Sequence, residues 1–99
     1  MDQVEISRIT INPDANPIQY KVTITSPDNS KTNHTVSITK EFYQRISGGL
    51  RKQEDVVRAS VEFLLEREPK ESILPNFDLT EIQKYFPEYE TLISSQLLM

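Results

Sequence analysis

The sequence predicts an α+β domain in which a three-stranded antiparallel β-meander precedes three or four helices packed on one face of the sheet. The first part of the chain alternates apolar and polar residues between short turn-forming clusters, which is typical of strands and hairpins. The second part carries apolar residues at helical spacing. With 99 residues, the chain is expected to form a single small domain, with strands within residues 3–39 and helices within residues 40–96.

The first two strands are predicted on either side of a turn. Residues 4–11 are rich in β-branched side chains, and a phase slip between Ile6 and Ile9 indicates a bulge or a strand that starts late. Residues 12–17 hold two prolines and two asparagines, which favour a turn. Ile18–Thr25 then alternates without a slip. The residues expected to face inward are Tyr20, Val22 and Ile24.

A third strand is predicted at residues 34–39, after a turn at residues 26–30. Val36 and Ile38 face inward in this register. In a three-stranded meander this strand lies at an edge, where its free backbone groups can pair with another chain. Threonine, lysine and glutamine on the opposite face of the strands predict that only one side of the sheet is covered.

The helical part begins at Thr39, whose hydroxyl is expected to cap a first helix at Lys40–Ser47. Gly48 is expected to end this helix. A second helix is predicted at residues 52–68, before Pro69. Its apolar residues cover well over half of its circumference, whereas an ordinary surface helix needs a stripe of little more than about 100°. The sheet must therefore cover one side of this helix, and other helices or a partner chain must cover another.

The last part of the chain is predicted to form a connector at residues 70–77 and shorter helices after it. Asp78 and Glu81 have the spacing of a capping box. The apolar residues at helical spacing, which are expected in the core, are Leu79, Ile82, Tyr85, Phe86, Tyr89, Leu92 and Ile93. The apolar end, Leu97, Leu98 and Met99, has two interpretations: a surface for a partner or a second copy, or a tail that folds back over the second helix.

The sequence offers few groups for catalysis or metal binding. Cysteine is absent and His34 is the single histidine, so neither a thiolate site nor a two-histidine metal site can form. His34 shares the parity of Val36 and is interpreted as a packing residue, since no partner or substrate pocket marks it as a general base. The two glycines are adjacent, which excludes a glycine-rich phosphate loop. We therefore predict no catalytic residues, no metal and no cofactor.

Charge and hydropathy narrow the classes of partner. The net charge of −4 argues against nucleic acid or an anionic membrane. No apolar run approaches the roughly 20 residues that span a bilayer, and no secretory signal is recognisable, so a cytoplasmic location is expected. The lack of catalytic constellations and the surplus apolar surface favour a non-enzymatic protein-interaction or regulatory module. Its partner would be an unidentified protein or a second copy, and an enzyme with an unrecognised site ranks last.

Residues 34–65 resemble the ribbon-helix-helix repressors. The shared features are a short strand with Val36 and Ile38, a helix, a break, and a second helix with an acidic step at Glu54 before Val-Val-Arg. The resemblance implies a DNA-binding transcriptional regulator, in which strands from two copies pair and lie in the major groove. In this alternative function the residues that face the bases are Thr35, Ser37 and Thr39.

Residues 63–89 resemble a group of small bacterial proteins of uncharacterised function. The matching runs are residues 63–79 and 85–89. This resemblance implies a helix, a proline-bounded connector and a second helix, and it implies no activity or functional residues.

Overall fold

In the computed structural model of the protein, which describes residues 1–98, four strands form one mixed sheet in the order β1-β2-β3-β4. The strands are β1 (Gln3–Arg8), β2 (Ile18–Thr25), β3 (Lys31–Ile38) and β4 (Asn76–Asp78). The first three are antiparallel neighbours, and β4 runs parallel to β3. The predicted α+β class and the meander are confirmed. The predicted count of three strands, all antiparallel, is wrong because a fourth strand comes from the stretch predicted as a connector.

β4 changes the position of β3 in the sheet. Val36 pairs with Phe77 in the parallel ladder, and Thr35 N donates to Pro75 O at 2.7 Å. β3 is therefore an inner strand where it meets β4, and the prediction that it lies at an edge is wrong there. The edges of the sheet formed by residues 1–98 are β1 and β4.

The phase slip near the N-terminus marks the end of β1. This strand stops at Arg8, and Ile9 and Ile11 follow it as exposed residues. The residues after the slip stay bonded to β2, since Ile9 N donates to Gln19 O at 2.9 Å and Thr10 N donates to the same oxygen at 3.4 Å. Two residues thus oppose one residue of β2, which is the hydrogen-bond pattern of a bulge, the first of the two predicted alternatives.

Within the described part of the chain, four α-helices follow β3. They are α1 (Lys40–Ser47), α2 (Gln53–Leu65), α3 (Ile82–Tyr85) and α4 (Tyr89–Leu97), and single 3₁₀ turns form at Lys70–Ser72 and Leu79–Glu81. The predicted caps of α1 are confirmed, since Thr39 Oγ1 accepts from Phe42 N at 3.1 Å and Gly48 is left-handed. α2 stops at Leu65, before the predicted end at residue 68, because Arg67 N and Glu68 N both donate to Leu64 O and interrupt the regular helical ladder ahead of Pro69. In the part of the chain that the structure describes, no helix has the length and apolar character needed to cross a bilayer.

The core lies between one face of the sheet and the helices. The inward residues of the strands are buried, and Gln19 and Lys21 on the opposite face are exposed, which confirms the one-sided cover. Tyr20 joins sheet and helix, since its hydroxyl donates to Gln53 Oε1 at 3.0 Å. The residues that α2 buries are Val56, Val57, Ala59, Ser60, Val61, Phe63 and Leu64, as its wide apolar arc predicts.

Two residues predicted in the core lie at the surface. Tyr85 is 67% exposed and Leu92 is 47% exposed. A 3₁₀ turn precedes α3 and advances by a larger angle per residue than an α-helix, so it shifts the phase that helical spacing had assigned to Tyr85. On α4 the buried stripe follows Tyr89, Ile93 and Leu97, four residues apart, and Leu92 lies beside it.

Candidate binding groove

The main candidate site is an apolar groove of about 270 Å³ beside the C-terminal end of α2. Leu64, Ile73 and Phe77 are buried and contribute to its floor, whereas Leu74 and Tyr85 are exposed at its rim. The full lining is Leu64, Glu68, Ser72, Ile73, Leu74, Phe77, Glu81, Ile82, Tyr85 and Phe86. The groove is thus an extension of the core that remains open to solvent.

One wall of the groove is set by β4 and the helix start that follows it. Phe77 is held by the ladder to β3. Asp78 then caps the 3₁₀ turn, with Oδ1 accepting from Thr80 N at 2.9 Å, and Glu81 Oε1 accepts from Asp78 N at 3.5 Å. This is the predicted capping box, which is confirmed, and it places Glu81 in the lining of the groove.

The rim of the groove at Leu74 is held by His34 of β3. Its Nδ1 lies 2.7 Å from Leu74 O, and its Nε2 lies 2.8 Å from Thr32 Oγ1. A carbonyl oxygen only accepts, so Nδ1 carries the proton and Nε2 of the neutral ring accepts from the threonine hydroxyl. His34 is buried on the inward face, as predicted, and it fixes the backbone of the residue at the groove rim.

A polar cluster fastens the same segment to the turn between β2 and β3. Lys70 Nζ donates to Ser30 Oγ at 2.7 Å and lies 2.6 Å from Glu71 Oε2, and Ser30 Oγ donates to Asp28 Oδ1 at 2.6 Å. The hydrogen bond to Glu71 raises the pKa of Lys70, and the hydrogen bonds from Ser30 lower the pKa of Asp28. A serine–lysine nucleophile needs a neutral lysine that accepts the serine proton. Here the lysine stays protonated and the serine proton points to Asp28, so the contacts serve to anchor the segment.

The groove is acidic. Glu68 and Glu81 line it, and none of its lining residues is basic. Within residues 1–98 the Glu68 carboxylate has no ion-pair or hydrogen-bond partner. The neighbouring Arg67 is directed elsewhere, since its guanidinium lies 3.6 Å from the centroid of the Phe63 ring and donates to Phe63 O. The lining therefore combines apolar surface with uncompensated negative charge.

The residues predicted to contact DNA lie apart from this groove. Thr35 and Ser37 are half-buried on the outer face of β3, and the Thr39 hydroxyl caps α1. A ribbon of two β3 strands, which the ribbon-helix-helix resemblance implies, requires β4 to leave its place beside β3. The DNA-binding alternative stays a prediction, and selection of bound genomic fragments is its test.

The predicted C-terminal interaction surface is divided. Leu97 is buried, and its carbonyl accepts a hydrogen bond from Arg51 Nε at 3.0 Å. Leu98 is exposed, and Met99 lies outside the described residues. A surface at Leu98 and Met99 stays a prediction.

Sequence reasoning missed the groove because its rim residues had other assignments. The sequence pattern assigns Leu74 to a connector and Tyr85 to the core. The available signal was the apolar pair of Ile73 and Leu74 inside a polar, proline-bounded stretch.

Among residues 1–98, no group of three or more histidine, cysteine, aspartate or glutamate side chains is placed to hold a metal ion.

No model of a known protein family matches the chain, and no curated protein and no solved structure shows significant similarity to it.

Proposed function

We propose that this protein is a non-enzymatic interaction module that binds another protein through the groove beside α2. The supporting observation is that the exposed side chains of Leu74 and Tyr85 both line an open apolar space. Aromatic side chains beside desolvated pockets are the residues that contribute most to binding at protein interfaces. The proposal includes the cytoplasmic location predicted from the sequence, which imaging of the tagged chain tests.

The size of the groove favours a side chain over a cofactor. Its volume of about 270 Å³ is below the roughly 300–1,000 Å³ usual for small-molecule sites. A space of this size receives one or two apolar side chains of a partner segment. The anchored walls favour this use, because a groove that is already formed costs little ordering when a partner binds.

The chemistry of the lining supports binding in preference to catalysis. Ser72 is the one aliphatic hydroxyl in the lining, and within residues 1–98 its hydroxyl makes no hydrogen bond to a side chain that could act as its base. His34, which is the single histidine, uses both ring nitrogens in contacts with Leu74 and Thr32. A turnover screen over common hydrolase and transferase substrates should give no activity above that of the heat-denatured chain.

Selection of short random peptides on the immobilised protein tests the binding proposal. Leu74→Asp places a charge at the groove rim and should weaken the selected peptides by about tenfold or more, because it disrupts the apolar contact. Leu92→Asp is the matched control, since Leu92 is 47% exposed and Leu74 is 45% exposed. It lies on α4, outside the groove lining. Equal affinity for both variants, each shown to be folded by its melting curve, would overturn the proposal.

A further inference from the structure

The acidic lining identifies the chemistry of the partner. We infer, on the basis of the proposed function, that the groove binds a segment of another protein in which an apolar anchor lies next to lysine or arginine. The anchor fills the apolar space, and the cationic side chain meets Glu68 and Glu81.

Glu68 is the first of the two carboxylates. It lies in the turn after α2, where its backbone N–H donates to Leu64 O at 2.9 Å, so its main chain is fixed beside the groove floor. Its side chain is half-buried and carries its charge without a partner within residues 1–98. A partly buried charge gains more from an incoming cation than a fully solvated charge does, because less water screens it.

Glu81 is the second carboxylate, and the capping box orients it. Its contact with Asp78 N is long, at 3.5 Å, and uses only Oε1. Oε2 therefore remains able to accept a charge-assisted hydrogen bond from a partner. The capping role holds the side chain in place before binding, which reduces the entropy that a partner must offset.

The nearby cations of the chain do not neutralise these carboxylates. Arg67 is stacked on Phe63, and Lys70 is engaged by Ser30 and Glu71. Lys84 of α3 is exposed and is not part of the groove lining. The chain as a whole carries a net charge of −4, which adds to the attraction of a cationic segment at low salt.

Peptide selection tests the inference with two substitutions that remove the charges of the groove and keep the size of the side chains. Short random peptides are selected in parallel on the wild-type chain and on Glu68→Gln combined with Glu81→Gln. Glutamine retains the acceptor that the capping box needs, so the groove keeps its shape. We expect an excess of lysine and arginine beside the apolar anchor in the wild-type pool, and no such excess in the variant pool.

A peptide from the wild-type pool gives the quantitative form of the test. Replacing its basic residue by glutamine should weaken binding to the wild type about threefold to tenfold, and should leave binding to the double variant unchanged. The wild-type affinity should fall as salt rises. Glu62→Gln, on the exposed face of α2 outside this groove, is the control and should behave as the wild type.

The failures of the two proposals are distinguishable. A pool that depends on Leu74 but shows no excess of basic residues overturns the inference about charge and leaves the proposed function standing. A pool that binds Leu74→Asp as well as the wild type overturns both, as does a selection that yields no binding peptides.

Discussion

α2 has two flanks that are covered by helices of different length. On one flank α4, with nine residues, lays Tyr89, Ile93 and Leu97 into the core. On the other flank α3 has four residues and leaves the groove open between itself and the end of α2. The α4 flank also carries a pocket, of about 370 Å³, but half of its lining residues are polar (Glu62, Glu66, Arg67 and Gln96). The more apolar of the two openings lies on the α3 flank, where the shorter helix leaves the groove open beside Leu64.

The closed flank is packed by aromatic rings. The rings of Tyr89 and Phe42 lie nearly parallel at 6.3 Å, and Tyr89 meets Phe63 edge-on at 5.2 Å. Ser60 Oγ donates to Val56 O at 2.7 Å, so the Tyr89 hydroxyl donates to Ser60 Oγ at 2.6 Å. Every polar atom in this contact is satisfied, which is what a permanently buried interface requires.

The open flank of α2 is covered less completely than the closed flank. Phe86 meets the Phe63 ring edge-on at 5.9 Å and is only half-buried. Leu64 is buried, but it also lines the groove. A residue of the core thus forms the floor of the proposed binding site, which links the stability of the fold to the shape of the site.

The largest expected effect comes from removing the shared residue. Leu64→Ala should lower the free energy of unfolding by about 2–5 kcal/mol, as large-to-small changes in cores do. Glu62→Ala, on the exposed face of α2, should change the free energy of unfolding by less than about 0.5 kcal/mol. Denaturant unfolding measures both. Similar losses for the two variants would mean that the apolar arc of α2 is not the buried one.

Alkaline pH should lower the free energy of unfolding through the Tyr89 hydroxyl, which is buried between α2 and α4. Burial raises the pKa of Tyr89 above its ordinary 10.0, so the folded protein keeps this proton while the unfolded chain loses it. Stability from this group is complete below about pH 10 and falls as the pH rises further, by about 1.4 kcal/mol at pH 11. The stability of the wild type relative to Tyr89→Phe should fall by this amount between about pH 8 and pH 11, so that the wild type loses its advantage over the variant. A difference in stability that stays constant would contradict the buried, neutral hydroxyl.

At neutral pH, Tyr89→Phe measures how much the hydrogen bond between Tyr89 and Ser60 contributes to stability. Tyr89→Phe keeps the ring contacts with Phe42 and Phe63 and removes the donor to Ser60. The expected loss is about 1 kcal/mol, the usual net value of an intramolecular hydrogen bond. Ser60→Ala is the complementary variant, and a double-mutant cycle should show that the two losses are not additive.

The smallest effect on stability is expected at the rim of the open flank. Tyr85→Ala should change the free energy of unfolding by less than about 0.5 kcal/mol, because most of this side chain already contacts water. The same change should abolish binding of the peptides selected on the groove. A large loss of stability in a thermal melt would show that Tyr85 belongs to the core and not to a binding surface.

Sequence by itself determined the features that depend on near neighbours. The alternation of β2, the caps at Thr39 and Gly48, and the capping box at Asp78 are all present as predicted. The wide apolar arc of α2 also predicted cover from two sides. These features follow from contacts within a few residues, where side-chain periodicity and local hydrogen bonds decide the conformation.

Tertiary structure alone decided β4 and the groove. Three residues at Asn76–Asp78 are too few to show alternation, and they form a strand because β3 offers them a ladder. The rim depends on the contact of His34 with Leu74, which are 40 residues apart, and the anchoring of Lys70 to Ser30 spans the same separation. The outward position of Tyr85 follows from a 3₁₀ turn that shifts the helical phase. Such long-range pairings leave no periodic trace in a sequence, because they are set by which segments the fold brings together.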